Sequence, residues 1–88
     1  MLEVLKFYAP WCTPCHVIEP IIEQLEKEYQ GKTLFQRINV DQEADKTLKY
    51  GVLSIPTLVI VKDGQEVDRL IGVTSKETLK SKIDSHLS

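Results

Sequence analysis

The nine residues Tyr8–His16, YAPWCTPCH, hold both cysteines of this 88-residue chain, three positions apart. A pair so placed can be a structural staple, a metal clip, a haem tether or a reaction centre. Composition narrows the choice. Acids and bases are mixed along the chain, with a net charge of -2. No basic run points to nucleic acid or to an anionic membrane. The longest apolar run, around Thr57–Val61, is far too short to cross a bilayer. Glu3 and Lys6 interrupt the N-terminal MLEVLKFYAP, which does not read as a signal peptide. A cytoplasmic protein is therefore expected, and in a reducing compartment two cysteines seldom form a permanent staple. A C-x-x-C bridge also closes too small a loop to add much stability. Reversible chemistry becomes the leading interpretation.

Outward from the pair, residues 2–8, LEVLKFY, predict a strand. A helix follows from about Thr13 to Tyr29, with Ile18, Ile21, Ile22, Leu25 and Tyr29 on one face and Gly31 ending it. Pro20 lies inside this helix and is expected to kink it. TLFQRINV (33–40) predicts a second strand, with Leu34, Gln36, Ile38 and Val40 on one face. Asp41 is expected to cap a short helix running to about Tyr50, closed by Gly51. TLVIV (57–61) suits a central strand buried on both faces. Asp63-Gly64 supplies a hairpin turn into the strand EVDRLI. Thr74 and Glu77 are expected to form a capping box for a last helix carrying Leu79, Ile83 and Leu87. The order β-α-β-α-β-β-α predicts an α/β fold. It is expected as one domain over residues 1–88, with three helices on a four-stranded mixed sheet. Its first two strands are expected to be parallel, joined by a right-handed crossover.

This frame puts Cys12 at the cap of the first helix, Pro14 in its first turn and Cys15 one turn on. Pro14 suits that place because its missing N–H has no helical partner there. Free backbone N–H groups and the positive helix end favour the thiolate of Cys12, so its pKa is expected below the free value of about 8.5. The thiolate would attack a partner's disulfide, and Cys15 would then displace the reduced product. Bland alternatives stand beside this one. A zinc site needs four ligands, and only His16 and His86 are available to help. CTPCH matches the haem-attachment string, but the only methionine is Met1. An inert pair is the remaining alternative.

The combined segments resemble the thioredoxin family. FYAPWCTPC (7–15) is similar to its active-site segment, Pro20 to its helix proline and RINVDQ (37–42) to its second-strand segment. KYGVLSIPTLVIVKDGQEV (49–67) is similar to the stretch around its cis-proline, and Gly72 to a late glycine beside the site. The resemblance covers essentially the whole chain. It implies a minimal thioredoxin fold with a redox-active Cys12 and Cys15. Pro56 would be cis and packed on the pair, and Ile55 would offer its backbone to an extended substrate segment. Trp11, Pro56 and Val73 would rim Cys12, with Thr13, Pro14 and Gly72 beside them. Asn39, Asp41 and Gln42 are taken as strand-end and capping residues.

Three departures from the family pattern stand out. The chain begins at the active-site strand, where family members usually have a further strand and helix before it. Lys6 stands where the family usually has a buried aspartate. With less cover the position is expected to be wetter, so that Lys6 either reaches solvent idly or lowers a cysteine pKa through its charge. Thr13 and His16 replace the usual glycine and lysine, and His16 is a candidate tuner of the thiolate.

The resemblance implies a thiol–disulfide oxidoreductase that reduces protein disulfides. It would be recycled by a separate thioredoxin reductase, NADPH- or ferredoxin-linked, and is expected as a monomer. No cofactor and no metal are expected, because the sulfurs suffice and no glycine-rich dinucleotide fingerprint occurs. One alternative is a glutathione-dependent, glutaredoxin-like reductase, against which the segment VTSK after Gly72 lacks that family's glutathione-site pattern. The other is a redox-gated binding module.

Overall fold

The computed structural model describes residues 1–87, so Ser88, the end of the expected domain, lies outside the described residues. The elements are β1 (Leu2–Tyr8), α1 (Thr13–Glu28), β2 (Thr33–Asn39), α2 (Ala44–Lys49), β3 (Thr57–Lys62), β4 (Gln65–Ile71) and α3 (Lys76–Leu87). They form one mixed sheet in the order β2-β1-β3-β4. β1 runs parallel to β2, with Leu5 opposite Gln36, and antiparallel to β3, with Leu5 opposite Val59. β3 and β4 are antiparallel, and their turn holds Asp63 at φ 52° and Gly64 at φ 86°. Two successive positive φ values match the right-handed twist of the flanking strands.

Side chains alternate across the sheet, and so two cores form. Leu2, Val4, Leu58 and Ile60 face Ile18, Ile22 and Leu25 of α1 and Leu79 and Ile83 of α3. Leu5, Phe7, Ile38, Val59 and Val61 face the other way, beneath Tyr50 and Val52. β3 is buried along Thr57–Val61, as its continuous apolar run requires. The α1 helix passes through Pro20 without a break.

Two caps differ from expectation. Asp41 does not cap α2, which begins at Ala44 after Glu43 and has no side-chain cap bond. The chain first turns on Asn39, whose carbonyl accepts from the N–H groups of Gln42 and Glu43. The Thr74–Glu77 box is not formed either. α3 starts at Lys76, so Ser75 is the capping residue, and its Oγ accepts from Thr78 N at 3.1 Å.

Candidate redox site

The site grows from the turn between β1 and α1. Cys12 is the residue before the first helical turn, with extended backbone (φ -89°, ψ 105°), and Pro14 follows in that turn. Cys12 N donates to Ala9 O at 3.1 Å, closing the loop. Cys12 Sγ accepts the backbone N–H of Cys15 at 3.2 Å. The sulfur thus satisfies one of the amides that every helix start leaves without a partner. Cys12 and Cys15 are joined as a disulfide, with Cα atoms 5.3 Å apart. Both are buried, together with Ala9 and against Tyr8, Val40 and Ile55.

Exposed side chains adjoin this buried pair in the chain. Trp11 is 70% exposed, and its Nε1 donates to Asp41 Oδ2 at 2.9 Å. This contact spans 30 residues of sequence and gives Asp41 a role that local capping rules do not suggest. Trp11 and Ile55 line one recess with Val40, Val52 and Leu53. Thr13 and Pro14 are exposed at the helix start. The Ile55–Pro56 peptide is cis, and Pro56 is buried. Gly72, at φ 88°, donates its N–H to Pro56 O at 2.8 Å, tying the end of β4 to the proline turn. Val73 follows it and is 57% exposed. His16 is exposed, with Nε2 2.7 Å from Pro10 O. A carbonyl only accepts, so this nitrogen carries the proton.

Lys6 departs from expectation. The position is not wet and the side chain does not reach solvent: the residue is 4% exposed. The alternation that turns Leu2 and Val4 towards α1 turns Lys6 the same way. Its Nζ donates to Cys15 O at 3.0 Å and to Glu19 Oε1 at 2.6 Å. Burial pushes the Glu19 carboxyl up, but hydrogen bonds from Arg37 and Lys6 outweigh this and hold it below the ordinary carboxylate value. Arg37 is raised, chiefly by its hydrogen bond to Glu19. Glu19 and Arg37 were not among the sequence candidates. Glu19 sits four residues after Cys15 and so shares its helical face, which is the signal that points to it.

Among the described residues, no group of three or more His, Cys, Asp or Glu stands close enough to hold a metal ion. Nor is any described helix long and apolar enough to cross a membrane. The thioredoxin family model matches residues 1–85. Thioredoxins of Staphylococcus aureus strains Mu50 and COL are 42% identical over 86 residues, covering 98% of this chain and 83% of theirs. Among solved structures, a mutant thioredoxin from Halobacterium salinarum NRC-1 superimposes with a TM-score of 0.91 at 34% identity, over 99% of this chain and 75% of that one. Sequence, fold and the paired sulfurs agree: the chain belongs to the thioredoxin family and is a thiol–disulfide oxidoreductase that reduces protein disulfides.

Proposed function

We propose that this chain works in the cytoplasm as a monomeric single domain over residues 1–88, carrying electrons from a separate thioredoxin reductase to disulfide-containing proteins. Cys12 is the nucleophile and Cys15 the resolving thiol. In the reduced protein the Cys12 thiolate attacks one sulfur of the partner's disulfide. A mixed disulfide forms and the partner's other sulfur leaves as a thiolate. Cys15 then attacks Cys12 Sγ, and the second partner sulfur leaves. Two electrons pass to the partner, whose two sulfurs take up protons, and the Cys12–Cys15 bond is restored. The hydrogen bond from Cys15 N to Cys12 Sγ carries this reading. A donor aimed at that sulfur, at the positive end of a helix, stabilises negative charge there.

The rim supports a role in holding the partner. Trp11 and Val73 are exposed apolar side chains, Thr13 and Pro14 follow Cys12 at the helix start, and Gly72 is bonded to the Pro56 turn. Ile55 lies outside the strands, and its backbone has no backbone hydrogen-bond partner among the described residues. It is therefore free to pair with an extended segment, with Pro56 fixing the turn. His16 steadies the loop through Pro10 O.

Trapping tests the assignment. With Cys15→Ser the mixed disulfide at Cys12 cannot resolve, and proteins are expected to remain attached until a reductant is added. Cys12→Ser should abolish turnover with NADPH, a thioredoxin reductase and a disulfide-bonded protein. Turnover surviving in Cys12→Ser, or glutathione as the only trapped species, would reject this reading.

A further inference from the structure

A buried cation lies against the backbone of Cys15. Lys6 Nζ touches Cys15 O and Glu19 Oε1, and the Lys6 side chain is 5% exposed. The Tyr8 ring centre is 5.5 Å from Nζ. Across the sheet Lys6 faces Leu58 of β3, which carries no charge. From α1 and β2 come the remaining charges. Arg37 meets Glu19 at 2.7 Å and Glu26 at 3.0 Å. Lys6 and Arg37 thus balance Glu19 and Glu26, and the network is neutral as a whole. It is not symmetric. The Lys6 end abuts Cys15, Glu19 lies one turn further along α1, and Glu26 two turns beyond that. The positive end therefore points at the residue whose sulfur can be anionic only when the couple is reduced.

We propose that Lys6 and Glu19 are positioning residues that set the redox potential of the Cys12–Cys15 couple, the ammonium favouring the reduced form through Cys15 and the carboxylate limiting that effect. The proposal rests on the disulfide-exchange role described above. Reduction adds two electrons to the S–S bond and leaves two sulfurs, each protonated or held as a thiolate. A charge that stabilises the thiolate stabilises the reduced side, and this raises the potential. A solvated lysine would be screened and would do little. Burial weakens that screening, so removing one charge of the network is felt at the sulfur.

Equilibration against a glutathione redox buffer, with the reduced fraction read by thiol alkylation, tests this. Glu19→Gln leaves Lys6 and Arg37 against Glu26, one positive charge in excess. The couple should shift towards the reduced form by about tenfold in its equilibrium constant, or about 30 mV for two electrons. Lys6→Met keeps the length and packing of the stem and leaves one negative charge in excess. It should shift the couple by a similar factor the other way. The double variant Lys6→Met/Glu19→Gln is neutral again and should return close to the wild-type value. A merely structural ion pair would move both single variants in the same direction, and that result, or no shift in either, overturns the proposal. If Lys6→Met fails to fold, Glu19→Gln alone decides: a higher potential supports the proposal, and an unchanged or lower one rejects it. A wild-type pair that never equilibrates with the buffer would instead overturn the exchange role itself.

Discussion

Cys12 sits at the one place in its helix where a sulfur meets an unpaired amide, and Trp11 beside it is held outward by Asp41. The proposed thiolate would owe its stability to this position rather than to a neighbouring base. In the reduced protein, Cys12 should be alkylated by iodoacetamide several-fold faster than free cysteine at pH 7, while Cys15 lags behind. Equal, slow rates at both sulfurs would argue against a helix-tip thiolate. Asp41→Ala should release the Trp11 ring without touching the sulfurs. The expected result is a shift in Trp11 fluorescence and a several-fold rise in KM for a protein disulfide, with kcat nearly unchanged. An unchanged KM would remove Trp11 from the partner-binding rim.

At the scale of elements, α1 does two jobs. Its start holds Cys12 and Cys15, and its inner face buries Ile18, Ile22 and Leu25 against β1 and β3. The same helix meets Lys6 through Cys15 O and Glu19, one turn apart, so its first two turns are pinned to β1. α3 closes the same core through Leu79 and Ile83, and its start depends on the Ser75 cap. Ser75→Ala should cost about 1 kcal/mol in a urea melt, as loss of a helix cap typically does. Thr74→Ala should cost clearly less, since Thr74 makes no cap bond. Equal losses would put the cap one residue earlier.

The whole molecule depends on two cores separated by one sheet, and their burial is its main source of stability. Ile22 is 1% exposed between α1 and the sheet, so Ile22→Ala should cost about 2–5 kcal/mol by denaturant unfolding. Acid should weaken the fold as well. Glu19 and Asp68 are held below their ordinary values: burial raises both, but Arg37 and Lys6 outweigh it at Glu19, and Arg69 N–H, His86 and Lys82 at Asp68. A carboxylate depressed in the folded state contributes stability fully present above its unfolded pKa, about 4 for these groups, and lost as pH falls through the folded value. The urea midpoint should therefore drop steeply below about pH 4, and Glu19→Gln should flatten part of that drop. Much of this architecture follows from local chemistry. The continuous apolar run of β3, the helical face Ile18–Leu25, the Asp63–Gly64 turn and Cys12 at a helix start are all set by residues a few positions apart, which is why the sequence alone determined the element order and the reactive pair. The caps lie two residues beyond Asp41 and one beyond Thr74, because Ser, Thr and Asp compete for such positions and only the settled backbone selects one. The Trp11–Asp41 contact and the Lys6–Glu19–Arg37 chain join residues 13 to 30 positions apart. Whether Lys6 meets water or a carboxylate depends on which helix packs over β1, and only the tertiary structure decides that.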